Sequence, residues 1–275
     1  MADKRLTPAR PDLAAAHLKG QVEAARFAEG EKFSVRHGRA SLRVRPADSA
    51  AQDSELLFGE IVTAYEQKDG WSWIQAQTDG YVGYVRSEAL GRDETATSRV
   101  IALMASVFPV PDLKAPVADF LPLNAMVRHE ALDGDYVRIG SGQFVHYRHL
   151  ALLSEHGTDF VAVAERFLGV PYVWGGKTFA GLDCSGLIQT ALQACGVACP
   201  RDTDMQEKAL GDAVTHSNLQ RGDLVFWKGH VGVMQNASHL LHANAFHMQV
   251  AAEPLTEAVA RITPIAGPVT SIKRL

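Results

Sequence analysis

Residues 181–192 read Gly-Leu-Asp-Cys-Ser-Gly-Leu-Ile-Gln-Thr-Ala-Leu. Leu187, Ile188, Ala191, Leu192 and Cys195 recur at helical spacing, which predicts an amphipathic helix with Cys184 in its first turn. There the unpaired backbone N–H groups and the helix dipole favour an anion, so a thiol with an ordinary pKa of ~8.5 is drawn toward thiolate. Two readings stand side by side at this point. Cys184 is a nucleophile, or it is a buried small residue, since free cysteine is among the most buried residue types.

The bulk composition narrows the classes. The chain has 275 residues, 47% apolar and 21% charged, with a formal charge of −4. That is ample chain for a hydrophobic core, and it supplies no basic field for nucleic acid or for an anionic membrane. The first twelve residues lack an apolar signal core, and no apolar run is long enough to span a bilayer. Three cysteines, an odd number, fit a reducing compartment better than a disulfide framework. The expectation is a cytoplasmic protein with neither nucleic acid nor membrane as a partner.

Along the chain the texture changes three times. Within residues 1–32, Pro11-Asp12 ahead of Leu13–Leu18 and Gly20 beyond predict one short helix that packs on the other domains. Residues 33–92 hold short β-branched and aromatic runs at Ala40–Arg45, Ile61–Glu66, Trp71–Gln77 and Tyr81–Arg86. Turns at Asp69-Gly70 and Thr78-Asp79-Gly80 separate them, and together they predict a small β-barrel. Ala40-Ser41 and Pro46 recur as Ala105-Ser106 and Pro111, Asp69-Gly70 as Asp133-Gly134, and Trp73-Ile74 as Tyr136-Val137. This ordered self-similarity predicts a second barrel at 97–154.

Residues 155–275 read as α+β. A helical stripe at Phe160, Val163, Ala164, Phe167 and Leu168 leads to an extended turn at 171–176 and the Cys184 helix. Thr203-Asp204-Met205-Gln206 is a capping-box pattern for a third helix. Strands follow at Leu224–Trp227, His230–Gln235, His239–Ala243, Met248–Ala252 and Val269–Lys273, giving helices first and an antiparallel sheet after them.

A cysteine nucleophile needs a base, and the base needs a group that orients it. His230 opens a strand whose alternation puts His230, Gly232 and Met234 on one face. His242 lies on the next strand, and hairpin pairing predicts the two imidazoles side by side on the face toward the Cys184 helix. A strand histidine by itself reads as a hydrogen-bonded structural residue, and His129, His216, His239 and His247 stay in that class. Cys195 and Cys199 with His216 form no complete tetrahedral set at zinc spacing. Cys195 reads as helix core, and neither a metal nor a cofactor is expected.

The order D-C-S-G-L-I-Q, P-R-D-T-D-M-Q, G-D-L-V-F-W, H-V-G-V-M and L-L-H-A resembles the NlpC-type cell-wall cysteine peptidases, which are papain-like enzymes cutting peptidoglycan peptides. The resemblance spans about residues 158–255. It implies Cys184 as nucleophile, His230 as base, His242 as third polar residue and Tyr172 as support for the scissile carbonyl. The backbone N–H of Cys184 would complete the oxyanion site. The segments D-G-W-S-W-I and D-G-Y-V-G-Y-V resemble bacterial SH3-like domains. The implied fold is therefore multidomain, two small SH3-like β-barrels followed by an α+β papain-like cysteine peptidase domain.

That layout is similar to γ-D-glutamyl-L-diamino-acid endopeptidases of the dipeptidyl-peptidase VI type. These release L-Ala-γ-D-Glu from murein peptides with a free N-terminal alanine during cell-wall recycling. The resemblance implies Asp183, Ser185, Arg201, Thr203 and Trp174 as substrate-binding residues, with Arg201 and Thr203 on a substrate carboxylate. It implies Glu60 and Tyr81 of the first barrel as amine-binding residues; the second copy has Ala125 and Gln143 near those positions. Two other readings remain: a wall-binding module with a vestigial catalytic domain, and a papain-like amidase or acyltransferase acting on another amide.

Overall fold

The computed structural model describes residues 3–92, 95–215 and 218–275. It divides into two compact units, Met1–Leu153 and Ser154–Leu275.

The first unit is built from β-strands. Seven short antiparallel strands between residues 31 and 92 form one sheet, in the order Gln52–Leu57, Arg39–Arg43, Val82–Arg86, Trp71–Ala76, Ile61–Lys68, Glu31–Val35, Leu90–Arg92. Alternation along Arg39–Arg43 and Val82–Arg86 turns every second residue inward. Val35, Leu42, Leu56, Val62, Ile74 and Val85 thereby share a core. From Ser98 to Leu152 the strands divide between a five-stranded and a three-stranded sheet. Their core of Val100, Val107, Leu121, Val127, Val137 and Val145 also takes in Phe58 from the first sheet. Met126 N–H donates to Phe58 C=O at 2.8 Å. A Cβ on Gly59 would sit 2.0 Å from Met126 C=O, so only glycine allows that approach.

The helix expected near the N-terminus is not there. Ala14–Ala15 is a two-residue strand paired in parallel with Phe27–Ala28, and Ala16–Leu18 is a single 3₁₀ turn. The six residues Leu13–Leu18 are too few to repay helix nucleation, and the backbone bonds to neighbouring chain instead. The segment is tied to the first sheet. Val82 N–H donates to Arg5 C=O at 2.7 Å, and Arg10 pairs with Glu66 at 2.6 Å with its guanidinium 4.3 Å from the centre of the Trp73 ring.

The second unit has four helices among the described residues: α1 (Phe160–Glu165), α2 (Cys184–Ala194), α3 (Thr203–Ala209) and α4 (Leu255–Ala266). Its main sheet comprises β1 (Asp212–Ala213), β2 (Leu224–Trp227), β3 (His230–Met234), β4 (His239–Asn244), β5 (Gln249–Pro254) and β6 (Ser271–Arg274). The order across the sheet is β1-β6-β2-β3-β4-β5. The last strand returns to pair with β2, setting Ile272 opposite Val225.

Two sequence expectations are corrected here. Helix α2 is buried almost all round rather than amphipathic, since Gln189 and Thr190 are as buried as Leu187 and Ile188. Hydrogen bonds absorb its polar groups: Gln189 donates to Cys199 C=O at 3.2 Å and Thr190 to Lys177 C=O at 3.0 Å. A helix, α4, also intervenes between the last two strands. No side chain caps its start and Pro264 lies inside it, although Gly267, with φ of 86°, closes its end. What carries it is the buried stripe Leu255, Ala258 and Ile262, packed on Val225, Trp227, Met234 and Leu240 of the sheet.

The start of α2 depends on close backbone approach. A Cβ on Gly186 would stand 2.1 Å from Gly176 C=O, a backbone atom that cannot swing away. Gly186→Ala is therefore expected to destabilise the protein by about 1–3 kcal/mol. Urea unfolding at constant m-value would measure this, and an unchanged midpoint would refute it.

Candidate active site

The site begins with the cap of α2. Asp183 Oδ1 accepts the Gly186 N–H at 2.7 Å, and Oδ2 accepts the Gly175 N–H at 2.8 Å. The first bond caps the helix, and the second ties it to the turn at 175–176. Arg201 donates to both oxygens, Nη1 to Oδ1 at 2.9 Å and Nη2 to Oδ2 at 2.6 Å, in a buried bidentate pair. Ser185 Oγ donates to Asp183 at 3.2 Å and accepts from Arg201 at 2.9 Å. The family resemblance implies Asp183, Ser185 and Arg201 as substrate-binding residues. The structure buries all three in one closed network, with Arg201 only 1% exposed. They hold the first turn of α2 in place and present no open charged face.

Cys184 is buried in that first turn. Its Sγ lies 3.8 Å from Thr203 Oγ1, so Thr203 faces the sulfur rather than an open carboxylate pocket. The backbone N–H groups of Ser185 and Val231 also point at it. Burial, followed by the nearby Asp183 charge, outweighs these donors and pushes the thiol up to about 11. This corrects the expected thiolate: the donors at the helix end are present, but desolvation exceeds them. Tyr172 is half-buried, and burial above all raises its phenol above the ordinary range. Trp174, on the same turn, is 67% exposed.

The two histidines are brought together. His230 Nε2 stands 2.8 Å from His242 Nδ1, with ring centroids 5.1 Å apart. The β3–β4 ladder pairs Val233 with Leu241 and Met234 with Leu240. Continued by the pleat, that register sets His242 opposite Gly232, so the rings meet on a diagonal. Their face is not the one expected. His230 and His242 share it with Trp227, Met234 and Leu240, which pack on α4 rather than on α2. The backbone N–H of Val231, the residue after His230, turns to the Cys184 sulfur. Burial, then the His242 and Arg261 charges, push His230 down to about 3. Burial also lowers His242 despite its acidic neighbour.

That neighbour is Glu253, which sequence reasoning missed. Its Oε1 is 2.7 Å from His242 Nε2 and also takes a hydrogen bond from Arg261 Nη2. Glu253 sits at the end of a strand, where a carboxylate is ordinarily solvated, and Arg261 belongs to the helix the sequence hid. The one available signal was alternation, which sets Glu253 on the His242 face of β5. Ligand atoms of His242, His247 and Glu253 lie within 4.8 Å of one another, but Arg261 already occupies that carboxylate. Of the remaining candidates, Glu60 and Tyr81 are buried in the first unit, Tyr81 within its core. Cys195 and Cys199 are free thiols, and His216 lies outside the described residues.

A thiol buried at a helix start, an N–H of the His230 strand turned to it, and two imidazoles in hydrogen-bond contact define a cysteine hydrolase of the papain kind. Residues 169–263 match the NlpC/P60 family, and residues 42–90 match the bacterial dipeptidyl-peptidase Sh3 domain. The chain is 25% identical over 250 residues to the gamma-D-glutamyl-L-lysine dipeptidyl-peptidase of Bacillus cereus, covering 78% of this chain and 71% of that one. It is 26% identical over 243 residues to dipeptidyl-peptidase 6 of Lysinibacillus sphaericus, covering 79% and 89%. A crystal structure of an NlpC/P60 family protein from Bacillus cereus shares the fold with a TM-score of 0.76 at 20% identity, over 89% of this chain and 99% of that one. The chain thus carries an NlpC/P60 cysteine peptidase domain, with a bacterial dipeptidyl-peptidase Sh3 domain ahead of it.

Alkylation of Cys184 by iodoacetamide in substrate-free protein should rise continuously with pH through neutrality, following a thiol near 11. Peptide mass spectrometry separates it from Cys195 and Cys199, and a rate plateau below about pH 7.5 would show a preformed thiolate instead. Arg201→Met should cost about 3–5 kcal/mol in urea unfolding, because it strands a buried carboxylate. A loss under about 1 kcal/mol would show that the pair holds nothing in place.

Proposed function

We propose that this protein hydrolyses the bond between γ-D-Glu and the following diamino acid in peptidoglycan peptides with a free N-terminal L-Ala, releasing L-Ala-γ-D-Glu. The observation that carries this reading is the extent of the similarity to the Bacillus and Lysinibacillus dipeptidyl-peptidases. It runs over more than three quarters of the chain and includes the segment ahead of the catalytic domain. The buried Cys184 and the His230–His242 pair supply the chemistry.

In this reading the substrate completes the burial of the site and the thiol gives its proton to His230 as it attacks the γ-carbonyl. One S–C bond forms, and the carbonyl π electrons move onto oxygen. The Cys184 backbone N–H and the Tyr172 hydroxyl are the donors assigned to that oxyanion. As the tetrahedral species collapses, the C–N bond breaks and the His230 imidazolium protonates the leaving amine. Water then attacks the thioester, with His230 taking its proton, and the dipeptide leaves with the thiol restored. A neutral thiol and a neutral imidazole in the resting site suit this order, since charge separates only once substrate is bound.

A free alanine amine means a peptide already cut from its sugar, since in the intact wall that nitrogen is acylated. An amidase step must therefore supply the substrate, and we assign the reaction to cytoplasmic recycling of wall peptides. Mass spectrometry of digests of L-Ala-γ-D-Glu-diaminopimelate and L-Ala-γ-D-Glu-L-Lys peptides tests the proposal. The dipeptide should appear from free-amine peptides, while N-acetylated and muramyl-linked versions stay intact. Equal turnover of blocked and free peptides would overturn the recycling assignment, and no cleavage of either would overturn the substrate. Cys184→Ala should abolish turnover with unfolding unchanged within about 1 kcal/mol, because it removes a single sulfur. Retained activity would exclude Cys184 as the nucleophile.

A further inference from the structure

The polar chain behind His230 does not stop at His242. His242 Nε2 meets Glu253 Oε1 at 2.7 Å, and Arg261 Nη2 bonds to that same oxygen. The Arg261 guanidinium lies 4.3 Å from the centre of the Phe246 ring, so the cation is held between a carboxylate and an exposed aromatic face. His242 is fully buried and Glu253 is 8% exposed, so solvent does not compete for these contacts.

The consequence follows from counting donors and acceptors. An ionised carboxylate only accepts, so the proton between Glu253 and His242 belongs to His242 Nε2. A neutral His242 then has a lone pair at Nδ1, and the proton in the 2.8 Å contact belongs to His230 Nε2. A neutral His230 is left with its lone pair on Nδ1, the nitrogen available to a thiol. Without the carboxylate, His242 is free to carry its proton on Nδ1 and donate to His230 Nε2. His230 would then hold its own proton on Nδ1 and show the thiol an N–H instead of a lone pair.

We propose that Glu253 and Arg261 act together as a positioning pair: Glu253 sets the tautomer of His242, His242 transmits it to His230, and Arg261 keeps the carboxylate charged yet balanced. Burial would raise the Glu253 carboxyl, but the His242 hydrogen bond and the Arg261 charge outweigh it and hold it below the usual range. The groups facing His242 are His230, Glu253, Arg261 and His247, with Glu253 favouring the imidazolium and Arg261 and His247 opposing it. Arg261 also disfavours protonation of His230. The pair thus fixes a proton's location without making either ring permanently charged. The proposal rests on the assignment of Cys184, His230 and His242 as the catalytic set.

The test uses full-length protein labelled with ¹⁵N-histidine, with tautomers read from long-range proton–nitrogen spectra without substrate. Resonances are assigned by the His230→Asn and His242→Asn variants. Wild type should show Nε2–H at both His230 and His242. Glu253→Leu should populate Nδ1–H at both and lower kcat by about 10- to 100-fold with KM held within about twofold, as loss of a ring-orienting partner does. Glu253→Gln keeps an acceptor oxygen and should retain the wild-type tautomers with most of the activity. Arg261→Gln should keep the tautomers and move the acid limb of kcat/KM to higher pH, because losing the cation makes His230 easier to protonate.

Wild-type tautomers in Glu253→Leu would overturn the proposal. If that variant fails to fold, an unmoved acid limb in Arg261→Gln overturns it instead. Because the tautomers are read without substrate, a wrong choice of peptide leaves this result standing. Wild-type spectra of the expected form with no cleavage of any wall peptide would refute the proposed function alone.

Discussion

The catalytic unit hangs on one buried carboxylate. Asp183 accepts two backbone N–H groups and a bidentate arginine, and in doing so joins the turn at 175–176, the first turn of α2 and the loop that carries Arg201. Each of these segments holds a part of the site. The turn follows Tyr172, α2 opens with Cys184, and the Arg201 loop leads into Thr203 beside the sulfur. A charge this deep is tolerated only because every strong acceptor site on it is occupied. The glycines at 176 and 186 serve the same constraint from the other side, since a methyl group at either would collide with backbone.

The site that results is quiet at rest. Desolvation keeps the thiol protonated and the imidazole neutral, even though helix-end N–H groups and a hydrogen-bonded ring surround them. Asp183 contributes to this directly, because its negative charge sits next to the sulfur whose ionisation would add another. The residue that builds the geometry therefore also restrains reactivity. A substrate carbonyl supplies what the resting site lacks, a place for the electrons displaced by attack.

How much of this was legible varies with how local each cause is. Cys184, His230 and His242 were readable because each stands in a short segment with its own signature: an apolar helix after D-C-S-G, a tight Lys228-Gly229 turn, and a hairpin partner strand. The same local logic accounts for the cap that Asp183 gives the helix after it. It does not reach the burial of Arg201, whose partner Asp183 lies eighteen positions away. It failed for the N-terminal helix, where capping signals were present but the run was too short. It failed again for α4, which has a buried stripe and a closing Gly267 but no side-chain cap at its start and a proline inside it, and with α4 went Arg261 and the meaning of Glu253.

The sequence alone determined α1 to α3 and strands β2 to β6 of the second unit, and singled out the thiol and the two imidazoles, because those follow from periodicity and from ordered short motifs. Only the tertiary structure decided which face of the sheet the histidines occupy, that Asp183, Ser185 and Arg201 are joined to one another, and that Glu253 stands behind His242. The physical reason is common to all three. Burial and pairing are properties of what packs against a residue, and the packing partners come from distant elements. At Gly181–Leu192 the composition promised a reactive thiolate; the surroundings, by removing water and adding a carboxylate, made it a protonated thiol that waits for substrate.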